Sequence, residues 1–201
     1  MFLEPKPDRF ETTSGLIITI IASFLAFVQI MDDNFGAEEL KAVNEKAGAF
    51  QWQQSKSIKQ NLVEGQVGLI ETLIKSKTIG KGDADLLEID LEKLKKKVHR
   101  YELEKTEILK GSKAVGKDNW VQDVDGELGK VIGAKEWEEK ITFYENKGDQ
   151  MALSSMFLQI SLMLGGLALI LQEAKLKLFF FYATLVLGAI GISYGGFCLV
   201  V

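Results

Sequence analysis

Residues 152–201 read ALSSMFLQISLMLGGLALIL, then QEAKLK, then LFFFYATLVLGAIGISYGGFCLVV: two runs without a charge, Ala152 to Leu171 and Leu178 to Val201, joined by six residues. A helix needs about 20 residues to cross the roughly 30 Å of hydrocarbon in a bilayer. Each run reaches that length, and so short a turn between them predicts a membrane hairpin rather than two buried core helices. Further back, Thr12 to Met31 (TTSGLIITIIASFLAFVQIM) has the same uncharged character. Lys6 and Arg9 precede it as they would a secretory signal, but no small-residue cleavage box follows, so it reads as a retained anchor. The expected fold class is an all-α membrane protein with three transmembrane helices, one amino-terminal and two in a carboxy-terminal hairpin, and a long helical, coiled-coil-like extramembrane stalk. The expected layout is a tail at 1–11, transmembrane helices at 12–31, 152–171 and 178–201, a turn at 172–177, and an extramembrane domain at 32–150.

The segment Asp32 to Gln150 carries 20 of the Lys and Arg residues and 24 of the Asp and Glu residues. So evenly mixed a surface does not attract phosphate backbones, which disfavours nucleic acid as a partner. Helices are expected at about 37–78, 84–110 and 134–150. In the first, Leu40, Val43, Ala47, Phe50, Gln54, Ser57, Asn61, Gly65, Gly68 and Thr72 recur at three-four spacing, and a second face through Ile58, Leu62, Leu69 and Leu73 partly takes over. That shift predicts more than one partner along the helix. Gly80-Lys81-Gly82-Asp83 punctuates it, with an aspartate expected to cap the next helix. Leu87, Leu91, Leu94, Val98, Tyr101 and Ile108 then mark the second arm of an antiparallel hairpin. Gly111 to Gly133 breaks the pattern, with Trp120 as its large anchor, and a third helix through Trp137, Ile141 and Tyr144 leads toward the membrane.

Few residues form chemically suggestive sets. Asp123-Val124-Asp125-Gly126-Glu127 has part of a calcium loop but lacks its third early oxygen and its twelfth-position glutamate. Asp83, Asp85 and Glu88 are the acids that a helix start attracts. Ser55 and Lys59, four apart, sketch a serine-lysine dyad without the desolvation or oxyanion hole that activation requires. His99 is the sole histidine and Cys198 the sole cysteine, so no zinc set, His triad or intrachain disulfide can be assembled. The membrane runs hold Gln29, Gln159 and Tyr194 but no carboxylate or base, unlike the usual transport pathway. Small residues at spacings of three or four, notably Ser161, Gly165, Gly188, Gly191 and Gly195, suit close helix packing within the hairpin or between subunits.

One stretch carries a family signature. Phe50-Gln51-Trp52-Gln53-Gln54-Ser55-Lys56-Ser57-Ile58-Lys59 fits the box aromatic-x-aromatic-x-Gln-[Ala/Ser]-Lys-Ser-x-Lys. Together with the early membrane helix, the charged helical segment and the closing hairpin, it resembles the bacterial family catalogued as domain of unknown function 4337. Family members usually carry a further aromatic where this chain has Gln53. The resemblance spans nearly the whole chain and implies architecture and bacterial origin; it brings no activity. Within the box, Phe50, Trp52, Gln54, Lys56 and Lys59 are the candidate interaction residues. Equal distances along the first and third helices set Phe50 and Trp52 opposite Lys130 to Ile132, where both rings could clamp the stalk.

The functional expectation is a non-catalytic protein of the bacterial inner membrane, without cofactor or metal. It would contact lipids and act as a homo-oligomeric scaffold or as an accessory subunit of a larger membrane complex. The alternatives are a ring-forming channel or transport component, lined by Gln29, Gln159, Thr184 or Tyr194, and, more distantly, a Ser55-Lys59 hydrolase. Lys6, Arg9, Lys175 and Lys177 predict the amino terminus and hairpin turn inside, with the stalk extracytoplasmic.

Overall fold

A computed structural model describes residues 9–76 and 80–200. Among the described residues are five α-helices: α1 (Arg9–Lys75), α2 (Lys81–Lys110), α3 (Ser112–Val115), α4 (Ala134–Ile170) and α5 (Ala174–Val200). A 3-10 turn at Lys117–Asn119 and a small antiparallel ribbon, β1 (Asp123–Val124) with β2 (Glu127–Leu128), fill the irregular stretch. The chain divides into two compact units, one holding the chain up to Glu39 and from Thr142 onward, the other Leu40–Ile141.

Several expected boundaries move. The helices expected at 12–31 and about 37–78 are one helix of 67 residues, α1. Both prolines of the chain precede it, so nothing inside it removes a backbone donor, and Asp32, Asp33 and Gly36 lower helix propensity without breaking the ladder. Likewise 134–150 and 152–171 form the single α4, which Gly148 does not end. The hairpin turn shortens because α5 begins at Ala174. Of the expected tail at 1–11, residues 9–11 are helical; residues 1–8, and 77–79 at the expected end of the stalk helix, lie outside the described residues. At the start of α2 the cap is Gly80, whose carbonyl accepts from the amides of Asp83 and Ala84; no side chain caps it, and Asp83 sits in the first turn instead.

In the first unit, α1, α4 and α5 are each long and apolar enough to cross a membrane. Ile21, Val28, Met151, Leu158 and Cys198 form its buried core, joined by Ile17, Leu25, Phe35, Leu162 and Ile192. Phe24, Ile160, Val186 and Phe197 point outward and are exposed. Such inside-out apolarity suits a surface facing hydrocarbon. At one end, Lys147 donates to the carbonyl of Cys198 at 2.5 Å, so a cation meets the last turn of α5 where its carbonyls lack helical partners.

In the second unit, α1 and α2 run antiparallel. Ala49 packs with Ile108, Lys56 reaches Glu104 at 2.7 Å, and Glu71 pairs with Lys95 at 2.7 Å, so numbers rise on one helix as they fall on the other. Hydrogen bonding to Lys95, reinforced by its charge, holds the Glu71 carboxyl below the ordinary carboxylate range. On α2 the expected stripe, Leu87, Leu91, Leu94, Val98, Tyr101 and Ile108, is partly or fully shielded. On α1 the shielded face differs from the expected one. It runs through Ala42, Lys46, Ala49, Gln53, Lys56, Gln60, Val63, Val67, Ile70 and Ile74, alternating steps of four and three. The expected stripe through Leu40, Val43, Phe50 and Gln54, and the second face through Ile58, Leu62, Leu69 and Leu73, are exposed.

Candidate functional site

The FQWQQSKSIKQ segment lies within α1 in the second unit, and 100° of turn per residue divides its side chains between opposite sides. Facing inward, Trp52 packs against the cluster of Ala49, Ile108, Val131 and Ala134. One turn on, Lys56 donates to Glu104 Oε2 at 2.7 Å, while Arg100 Nε donates to Glu104 Oε1 at 2.9 Å. Glu104 thus takes two charge-assisted bonds with its side chain only 4% exposed, and removing both partners would strand a shielded charge. Another turn on, buried Gln60 donates to Glu64 Oε1 at 2.7 Å, and its own carbonyl oxygen has no protein partner. Phe50 and Gln54 face away from α2 and are exposed, and Lys59, on the flank of the helix, is exposed as well. The expected clamp of two aromatic rings is therefore one ring, Trp52; Phe50, two residues away, is turned about 200° from it.

The inner edge of the box meets the segment that seals the end of the α1–α2 pair. Glu107, fully buried, accepts from Ser112 Oγ at 2.6 Å and from the amides of Val121 and Gln122 at 2.9 and 2.8 Å. Ser112 in turn joins Val131 through both backbone and side chain: its amide donates to the Val131 carbonyl at 2.9 Å, and its Oγ accepts from the Val131 amide at 3.0 Å. Trp120 Nε1 donates to the Ser112 carbonyl at 2.7 Å, and its ring lies so close to Gly129 that a Cβ there would fall 2.6 Å from it. Gly111, at φ 92°, lets α2 stop and the chain turn directly into α3, and Gly133 presses against that turn with no room for a side chain. At the start of α4, Glu136 accepts from the Gly133 amide at 3.1 Å, the reciprocal half of a capping box. One carboxyl and one hydroxyl thus organise a stretch whose regular structure is limited to a short helix, a 3-10 turn and a small ribbon.

Glu104, Glu107, Ser112, Ala49 and Gln60 were not singled out by sequence reasoning. Glu104 and Glu107 flank the apolar stripe of α2, which is the one signal that could have raised them. The remaining candidates fall elsewhere. Asp123 Oδ1 accepts from the Gly126 amide at 2.7 Å, so it shapes the ribbon turn, while Asp125 occupies a positive φ of 54°. Ser55 and Lys59 are exposed on α1, without the desolvation that nucleophile activation needs. His99 is exposed beside Glu102. No cluster of metal-ligating side chains occurs among the described residues.

In the first unit, the small residues face into the helix packing. Ser154 and Ser161 donate to the carbonyls of Gly191 and Thr184, both at 2.7 Å. A Cβ on Gly165 would fall 2.9 Å from Ile18, one on Gly188 2.8 Å from Ile21, one on Gly191 2.8 Å from Leu158, and one on Gly195 2.7 Å from Ser154. Of the candidate pore-lining side chains, Thr184 is buried in this packing, whereas Gln29, Gln159 and Tyr194 are exposed. Just past the uncharged run of α1, burial, reinforced by Asp33 and Asp149, raises the Asp32 carboxyl above the ordinary carboxylate range.

Comparison with known proteins finds one family, described as Domain of unknown function (DUF4337), which matches residues 10–201. No curated protein matches the chain, and no solved structure does.

Proposed function

The chain belongs to the DUF4337 family, and we propose that it is a non-catalytic integral membrane protein that works through protein–protein contact, as a homo-oligomeric scaffold or an accessory subunit of a membrane complex. In this proposal α1, α4 and α5 cross the bacterial cytoplasmic membrane, and the α1–α2 pair forms a coiled-coil stalk. The observation that supports it is how the box is divided. Its inward residues, Trp52 and Lys56, hold α2 and the Glu107-centred segment, while Leu40, Phe50, Ile58, Leu62 and Leu69 stand exposed on a unit otherwise rich in charge. Exposed apolar surface of that extent on a polar unit marks a contact site.

Extraction of the native protein in mild detergent, followed by light scattering corrected for bound detergent, tests this. The particle should weigh well above the 22.4 kDa of one chain. A monomer with no copurifying protein overturns the proposal.

A further inference from the structure

Resting on that protein-contact reading, we infer that the partner of the outer face of α1 is a second copy of this chain, packed α1 against α1, parallel and in register, from Leu40 to Leu73. The face lies opposite the seam that holds α2, so it is what remains of α1 once the hairpin has formed. Its apolar members, Leu40, Val43, Phe50, Ile58, Leu62 and Leu69, are 41–63% exposed. They recur at about 3.7 residues per turn, close to the period of an unstrained helix, so the face forms a broad band that drifts only gradually around the axis over about 50 Å.

The face itself selects a copy of this chain over an unrelated partner. Between Leu40 and Leu73 the charged residues of α1, such as Lys41, Glu45, Lys59, Glu64 and Glu71, all project elsewhere, leaving the face without a charge. A heterologous partner commonly gains register and specificity from complementary charge, and nothing here supplies it. In a parallel pair each residue meets its own counterpart, where any charge would meet its like. The amides on the face are those of Asn44, Gln51, Gln54 and Asn61. An amide carries both donor and acceptor, so each can bond to its own copy, and a polar residue within an apolar seam fixes register. Membrane insertion supplies the direction: every copy leaves the bilayer through the same short segment after Met31, so Leu40 is the proximal end of the face in all of them.

The test uses the full chain in its native membranes, in a Cys198→Ser background. Single cysteines replace Gln54, Ile58 or Leu62 on the face, and Lys41 or Lys59 off it, and a short bifunctional maleimide follows. Cross-linked dimer should form at least about three-fold more from the face positions than from the off-face ones. Equal or weaker yields from the face overturn the inference. Independently, Ile58→Glu combined with Leu62→Glu should leave helix content by circular dichroism unchanged while the particle mass falls by half or more. Loss of helix content instead would mean that the face is buried within one chain, and also overturns it. If the face positions fail to cross-link while the double variant sheds a different copurifying protein, self-pairing is overturned and the protein-contact proposal stands. A parent chain that is a lone monomer defeats both.

Discussion

Phe50 and Trp52 look equivalent in the sequence, two aromatics bracketing a glutamine, yet only Trp52 packs against α2 and the segment before α4. Truncating a ring costs stability in proportion to the packing that the ring made, so Trp52→Ala should weaken the second unit by about 2–4 kcal/mol. Phe50→Ala should change the stability of the dissociated chain by less than about 0.5 kcal/mol. Denaturant titration followed by circular dichroism separates them, and equal costs would mean that the face of α1 is misassigned. The box was legible as a pattern, but its division between two faces was not. Ala42, Ala49, Lys56 and Gln60 set the phase of the helix, and alanine, lysine and glutamine carry too little hydropathy to mark an inner face. At the other charged position of interest, Asp32, burial first and then Asp33 and Asp149 favour the neutral carboxyl in the folded state. A raised folded pKa contributes stability below the unfolded value, and that contribution is lost as pH rises through the folded one. Ionised Asp32 is therefore a cost near neutral pH. Asp32→Asn should melt higher than the parent at about pH 7, with the gap shrinking as the pH falls toward the ordinary carboxylate value of about 3.9. A gap of unchanged size across that range would disprove the shift.

Among the elements, α1 shows why periodicity alone misled. It has two opposed faces, the one against α2 repeating at about 3.5 residues per turn and the exposed outer one at about 3.7. Hydropathy favours the outer one because its proximal half holds leucine, valine and phenylalanine, whereas the inner seam becomes apolar only from Val63 onward. On α2 the two criteria agree, and the stripe was legible residue by residue. The small residues of α4 and α5 behave differently again, since spacing picks out candidates but only the phase of each helix distinguishes Gly191, packed on Leu158, from Gly196, which has open space where a side chain would go. Gly191→Leu would drive a side chain into Leu158 and the carbonyl of Ser154, and should destabilise the first unit by about 1–3 kcal/mol. Gly196→Ala should be tolerated. Thermal unfolding in detergent checks the pair, and a Gly191→Leu protein as stable as its parent would show that α4 and α5 are not packed closely at this level.

For the whole molecule, the contrast between uncharged and charged blocks made the helical architecture readable, because runs of that length have few other physical solutions. Residues 111–133 were unreadable for the opposite reason. Their conformation depends on where Glu107 and Ser112 send their hydrogen bonds, which no local pattern announces. Orientation in the membrane combines both kinds of information. In the proposed three-pass arrangement the start of α1 and the turn before α5 emerge on one side, and the structure brings them together: Lys177 Nζ lies 4.6 Å over the Phe10 ring and 3.9 Å from Glu11. That end carries Arg9, Lys175 and Lys177, with Lys6 just before. Basic residues in short segments stay in the cytoplasm, whereas a long charged segment crosses largely regardless of its own lysines. The amino terminus and hairpin turn should therefore be cytoplasmic, and Leu40–Ile141 extracytoplasmic. Single cysteines replacing Asp118, which is exposed, and Lys175, in a Cys198→Ser background, can be probed in intact cells with a membrane-impermeant thiol reagent. Labelling is expected at position 118 and protection at 175; the reverse pattern would put the α1–α2 pair in the cytoplasm, and with it any partner that the outer face of α1 meets.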